Sequence, residues 1–315
     1  MKIKKRVTKT VYHLFVVLFG MLMIYPVLWM ISGSFKDNAE ILRGSLGLFP
    51  ENLKLTNYAT GWSGFGGISF TTFFKNSIII TAIATLGTVI SSALVAYALS
   101  RVRFRGRKFW FTCMIATMLL PGQVIMIPSY LIWHRLGLVP GYLPLIIPNF
   151  CGQAFFIYQM MQFMSGIPRE LDEAATIDGC SKYSIFTHII MPLLKPSIVT
   201  TVIIQFYWKW DDYMGPLLYL SKPQSYTVSL AIKMFADASS TTDYGAMFAM
   251  STLSLIPVLF VVSCVVFLVV YLIPGGPATA LLGMEATPEQ IEALNTELGF
   301  NRPFFVQYAD WFAGI

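Results

Sequence analysis

Long apolar runs separated by short polar islands set the pattern of this chain. The runs stand at 11–31, 77–99, 109–132, 142–163, 198–220 and 244–273. Each is near the ~20 residues a helix needs to cross a bilayer core. The pattern predicts an all-α, polytopic membrane protein with about six transmembrane helices. Lys2, Lys4, Lys5, Arg6 and Lys9 precede the first run, as they would a signal peptide. The run is too long for one, and no small-residue cleavage site follows it. It reads as a retained anchor.

One island breaks the rhythm. The segment 168–196 is amphipathic and punctuated like a folded element rather than a connecting loop. Pro168 suits the first position of a helix, where its missing N–H costs nothing. Glu170, Asp172 and Glu173 fall in the first turns, where the helix dipole favours negative charge. Gly179 supplies a turn that ends the helix. Ser181 caps a second helix and Pro192 stops it. A short helix, a glycine turn and another short helix would present a surface to a partner at the membrane face.

Charge sets the orientation. The basic N-terminus, 1–10, carries no acid, and neither does the loop holding Arg101, Arg103, Arg105, Arg107 and Lys108. Both belong in the cytoplasm. The loop 35–74 balances Lys36, Arg43 and Lys54 against Asp37, Glu40 and Glu51 and goes outside. Counting spans then places the island in the cytoplasm, although Arg169, Lys182 and Lys195 face Glu170, Asp172, Glu173 and Asp178. A docking surface accounts for that exception to the basic rule.

Composition agrees with a membrane chain. Hydrophobic residues make up 56% and charged residues 12%, about half the charge of a soluble domain. Mean hydropathy is +0.64. The net charge of +6 sits beside apolar spans and is no nucleic-acid signal. Cys113, Cys151, Cys180 and Cys264 have no metal-ligand spacing and suggest no disulfide framework. His13, His134 and His188 are scattered. The chain has no GxxxxGK[ST] phosphate loop and no HExxH, so it is expected to be no enzyme, to bind no metal and to hold no cofactor of its own. Lys209, Asp211 and Asp212 lie toward the outer end of the fifth run. They either line a pathway or form an interfacial ion pair within the aromatic belt of Tyr207, Trp208, Trp210 and Tyr213. Asn76 and Gln205 read as helix-packing glue or as ligand groups.

The island also carries a resemblance. Glu173-Ala174-Ala175, Ile177-Asp178-Gly179, Phe186, Ile189 and Met191-Pro192 resemble the EAA signature of inner-membrane permease subunits of ABC importers. The fuller form, with Pro168, Leu171, Ser181 and Leu193, is similar to the carbohydrate branch, the maltose-permease-like second subunit. Other stretches agree in order: 26–30 leading to Ser34-Phe35-Lys36, Asn57-Tyr58, Asn76-Ser77, 96–101 before Phe104-Arg105-Gly106-Arg107, and Trp210-Asp211-Asp212-Tyr213 before Pro216-Leu217. Asp211 stands where that family more often has Asn. The resemblance covers the transmembrane domain, 11–257, with its coupling loop at 164–196.

It implies a multi-pass protein of the inner (plasma) membrane that supplies half of a sugar pathway. The implied partners are a dimer of ATP-binding subunits, a second permease, an external solute-binding protein and membrane lipid, but no nucleic acid. ATP would be bound by the partner. In such importers a cytoplasmic helix of the permease sits in a cleft on the ATPase. Glu173, Ala174, Ala175, Asp178, Gly179 and Pro192 are the residues that carry this ATPase-coupling role over. Ala174 and Ala175 would permit close approach, and Glu173 could pair with a basic residue there.

The end of the chain follows another pattern. From about 258 to 315 it resembles the amino-terminal end of a dipeptide/oligopeptide ABC permease, with 272–277 as Leu-Ile-Pro-Gly-Gly-Pro and Gly276 where that family usually has Asp. The tail is acidic, with Glu285, Glu289, Glu292, Glu297 and Asp310 against Arg302. Thr287 with Gln290 makes a capping box, Pro288 fits the first helical position and Gly299 ends the helix. Ile291, Leu294 and Leu298 would form an apolar stripe without a partner. Alternatives to the sugar permease are therefore a peptide permease subunit or a non-functional fusion of two permeases.

Overall fold

The computed structural model describes residues 2–44, 47–235, 242–271, 282, 287–297, 299 and 301–313. Among them the backbone is helical, with one isolated bridge between Phe65 and Ile68. The principal helices are α1 (Lys2–Gly33), α2 (Phe70–Arg101), α3 (Arg107–Met118), α4 (Gly122–Arg135), α5 (Ala154–Ser165) and α6 (Glu170–Ile177). They continue as α7 (Lys182–Leu193), α8 (Lys195–Trp210), α9 (Tyr244–Tyr271), α10 (Pro288–Glu297) and α11 (Phe304–Ala313).

Three described stretches are long and apolar enough to cross a membrane: Val11–Gly33, Phe70–Arg101 and Tyr244–Leu268. Two bent pairs raise this to five if each is one span: α3 with α4, at 103°, and α7 with α8, at 74°. The polytopic helical fold stands as expected, with the third, fourth and fifth runs interrupted where proline and glycine fall. The third run breaks at Pro121, which is extended at φ −60° and ψ 134°. The fourth is a turn at Leu143–Ile146, a 3-10 turn at Ile147–Phe150 and then α5. Pro144 and Pro148 shorten those turns, and Gly152, at φ +80°, redirects the backbone. The fifth ends as a regular helix at Trp210 and resumes at Met214–Tyr219. Residues 272–273 of the sixth lie outside the described residues, and α9 continues through Pro257.

The chain divides into two compact units, Met1–Ser77 with Ser221–Ile256, and Ile78–Leu220 with Pro257–Ile315. In the first, the motif stretches meet. Asn57 Nδ2 donates to the carbonyls of Ser34 (3.0 Å) and Lys36 (2.8 Å), and Ser34 Oγ lies 2.8 Å from the Tyr58 hydroxyl. Lys36 is fully buried, 3.5 Å from the buried Glu40 carboxylate, and its ammonium also donates to the Gly47 carbonyl. Asn76 Nδ2 donates to the carbonyls of Gln224 (2.9 Å) and Tyr226 (3.0 Å), while Ser77 Oγ accepts from the Val228 N–H at 2.8 Å. The Asn57, Asn76 and Ser77 bonds each satisfy backbone groups from a side chain.

In the second unit, a core of Ala93, Ala96, Tyr97 and Leu99 from α2 packs with Met160 and Met164 from α5 and with Phe186, Ile190 and Leu194. A buried polar hub fills the break in the fourth run. Asn149 Oδ1 accepts from Gln205 Nε2 (2.9 Å) and Gln153 Nε2 (2.8 Å), and its amide donates to the Leu145 carbonyl at 2.8 Å. Ser91 Oγ donates to the Asn149 carbonyl at 3.1 Å. Gln205 thus acts as packing glue here, as does Asn76 in the first unit.

The tail is better partnered than its sequence suggests. Thr287 and Gln290 form the reciprocal capping box, and Gly299 takes φ +73°. α11, which the sequence reading did not anticipate, packs on α9. Tyr308 lies 2.8 Å from Ser263 Oγ, and its ring is 5.4 Å from Phe267, which Trp311 also meets. Ile291 and Leu294 are half-buried rather than free, whereas Leu298 and Glu285 lie outside the described residues.

Candidate functional site

The island 168–196 builds a defined surface. Helix α6 carries Glu170, Asp172 and Glu173 in its first turn, and the Arg169 carbonyl accepts from the N–H groups of Asp172 (3.0 Å) and Glu173 (3.1 Å). Pro168 stands two residues before the helix rather than at its first position, because the chain makes a turn at Arg169 first. At the other end, the Cys180 N–H reaches the Ala175 carbonyl (2.9 Å) and the Gly179 N–H reaches the Thr176 carbonyl (3.1 Å). This is a Schellman closure, and it puts Gly179 at φ +80°, a conformation that side chains with a Cβ resist. Nothing among the described residues lies within 4 Å of where a Cβ at Gly179 would stand. The constraint inside the molecule is conformational, and the space over the turn is open.

Ser181 then caps α7, its Oγ accepting from the Ser184 N–H at 3.1 Å. The helix does not stop at Pro192. Its middle, Ile185–Ile190, is π-helical, and it runs to Leu193 before the bend into α8. The wider turn gives room for the proline ring against the preceding carbonyls. The break falls where Pro196 opens α8, a position needing no N–H.

The faces sort cleanly. Ala175 is buried in the unit's own core, so its small size serves an internal contact. Glu173, Ala174, Asp178, Gly179 and Pro192 are exposed. Beside them stand two large side chains, Ile177 of the signature at 87% exposure and Tyr183, which the sequence reading did not single out, at 72%. They flank the glycine turn and give the surface an apolar centre with an acidic edge.

What holds this surface is a residue the sequence reading placed in the basic loop and in the 96–101 stretch but gave no structural role. Arg101, the last residue of α2, is nearly buried. Its Nη1 lies 2.9 Å from the Asp172 carboxylate, and its Nη2 donates to the carbonyls of Met164 and Ile167 at 2.6 Å each. Tyr97, one turn earlier, donates from its hydroxyl to the Lys182 carbonyl at 3.0 Å, and its ring lies 5.0 Å from that of Phe186 at a tilt of 42°. One helix end therefore grips both halves of the island. A planar guanidinium has the donors for three simultaneous acceptors. The signal in the sequence was the arginine's place four residues after Tyr97 at the end of an apolar run, next to an acid-rich helix.

The other candidates are placed elsewhere. Lys209 Nζ sits 3.4 Å from Asp212, and the other oxygen of Asp212 accepts from the Gly215 N–H at 3.0 Å. Asp211 is exposed. The pair is a local ion pair that also seats the Met214–Tyr219 turn.

Comparison with known proteins gives the family. Residues 89–275 match the family described as binding-protein-dependent transport system inner membrane component. The chain belongs to that family. A second family model, the N-terminal part of binding-protein-dependent transport membrane components, matches 247–315. Among relatives, the probable ABC transporter permease protein YurM of Bacillus subtilis is 33% identical, over 78% of this chain and 80% of the relative. The probable starch degradation products transport system permease protein AmyC of Thermoanaerobacterium thermosulfurigenes is also 33% identical, over 77% and 86%. The trehalose/maltose transport system permease protein MalG of Thermococcus litoralis is 30% identical, over 85% and 94%. The fold is shared with a chain of a bacterial ABC transporter involved in the import of the acidic polysaccharide alginate, at a TM-score of 0.72 and 24% identity over 83% of this chain and 96% of that one. The protein is thus a multi-pass membrane component of a transport system.

Proposed function

We propose that this chain is a permease subunit of an ATP-driven, binding-protein-dependent carbohydrate importer. It forms half of the translocation pathway in the inner membrane and couples to a separate ATPase. The observation that carries the coupling role is the Schellman-closed helix α6, gripped by Arg101 and presenting Ile177, Tyr183 and the open Gly179 turn. Exposed apolar side chains of that size around a rigid turn favour a protein partner. ATP binding and catalysis belong to that partner, and this chain needs no cofactor. Glu173, Ala174, Asp178 and Gly179 meet the ATPase, Ala175 and Arg101 hold the helix, and Pro192 shapes the return into α8. A second permease and an external solute-binding protein complete the assembly. The carbohydrate class rests on relatives whose names refer to starch degradation products and trehalose/maltose.

The test is uptake in a deletion strain complemented with this chain and supplied with labelled oligosaccharides or labelled dipeptides. Restored oligosaccharide uptake supports the reading. Restored dipeptide uptake alone would transfer the protein to the peptide class, which the tail at 258–315 resembles in sequence.

A further inference from the structure

Beside the Arg101 grip lies a pocket of about 260 Å³ that the coupling role does not use. Arg101, Arg107 and Arg169 line it, with Phe111, Tyr158 and Met161 along the rest of the wall. The charge of Arg101 is balanced by Asp172. Arg107 and Arg169 take part in no ion pair among the described residues, and Arg107 spends one N–H on the Ser100 carbonyl at 3.3 Å. Two arginines therefore line one small concavity without a counter-ion among the described residues. The volume falls just below the ~300 Å³ at which pockets for drug-sized ligands begin, so it suits a compact group.

We infer that this pocket binds a phosphate-bearing anion at the cytoplasmic membrane face, the headgroup phosphate of an anionic phospholipid or a soluble phosphate of the same chemistry. Guanidinium forks match phosphate oxygens in pairs, and each such bond is charge-assisted. The apolar wall of Phe111 and Met161, with the Tyr158 ring, offers the glycerol and acyl stem of a lipid an apolar side. Basic pockets between membrane helices at the cytoplasmic end are suited to such headgroups. Arg169 directly precedes the docking helix, so an occupied pocket adds a tie between the base of that helix and α3. This inference rests on the cytoplasmic placement of the island proposed above.

The experiment uses the full chain in nanodiscs with spin-labelled phosphatidylglycerol or phosphatidylcholine, a readout indifferent to orientation. Orientation itself is read separately, by labelling at Ser181, so the two readings fail independently. Wild type is expected to hold phosphatidylglycerol in preference to phosphatidylcholine. The preference should fall about fivefold for each arginine removed in R107Q and R169Q. R103Q/R105Q, which removes the same charge from the neighbouring exposed loop, should keep most of it. R107K/R169K, which keeps the charge and loses the fork, should fall between. Displacement of the lipid by inorganic phosphate in wild type would assign the site to the soluble source, and retention would assign it to lipid. An equal loss in R103Q/R105Q, or an unchanged preference in R107Q/R169Q, would overturn the site.

Discussion

The Arg101 guanidinium and the Asp172 carboxylate stand 2.9 Å apart, with side chains only 5% and 20% exposed. They tie the end of α2 to the first turn of α6. Removing one partner of a pair buried this far leaves the other uncompensated, at a cost of about 3–5 kcal/mol. Arg101→Ala should therefore leave the apolar spans inserted but loosen α6. Hydrogen exchange at the amides of 164–182 should speed up while those of α2 above Tyr97 stay protected. Arg101→Lys keeps the charge but loses the fork, and should give an intermediate rate. Unchanged protection of α6 in Arg101→Ala would show that the core contacts of Ala175 and Phe186 suffice alone.

Gly179→Asp should insert normally and abolish ATP-coupled uptake. The turn needs a positive φ, which costs a residue with a Cβ on the order of 1 kcal/mol, less than would unfold the island. No atom among the described residues lies within 4 Å of the new Cβ. A complete loss of transport at normal expression would then come from the partner's side of the turn. Normal uptake would remove Gly179 from the interface.

Single cysteines at Arg105, Glu51 and Ser181, in a version free of native cysteine, should label from outside only at Glu51. All three positions are exposed, so labelling reports the side of the membrane rather than burial. External labelling at Ser181 would reverse the topology and move the island away from a cytoplasmic ATPase.

Truncation after Phe267, with a short basic tail, should assemble with the partner subunits at least as well as the full chain. The cut uncovers Phe267 and Ser263, which Tyr308 and Trp311 now cover. Lipid tails solvate an uncovered Phe as well as protein does, so the loss is small in a membrane. Co-purification of full-length and truncated chains compares them directly. Failed assembly of the truncated chain would make α11 a working part of the subunit.

Much of this was legible in the residues. The caps and the glycine turn of the island carry local chemistry, and local chemistry reads directly: Ser181, Gly179 and the Thr287–Gln290 box stand as their types require. Hydrophobic runs located α1, α2 and α9 because unbroken apolar periodicity needs no tertiary information. The breaks in the third, fourth and fifth runs were harder. A proline within an apolar run is compatible with a kink or with a full break, and only neighbours such as Asn149 and Gln205 decide which. Arg101 was invisible as a grip for the same reason. Its acceptors are 63 to 71 residues away, and a basic loop explains its presence just as well from sequence alone. The tail's packing was missed because Tyr308 and Phe267 are joined only in space.

The most direct test is photo-crosslinking in native membranes from a reactive residue placed at Ile177, with Glu51 as the control position. The island is expected to yield an adduct from Ile177 with a subunit that carries a nucleotide-binding phosphate loop, identified by mass spectrometry of the adduct, and none from Glu51. An inserted, expressed chain that gives no such adduct at Ile177, or that gives it at Glu51, would contradict the coupling role of this surface.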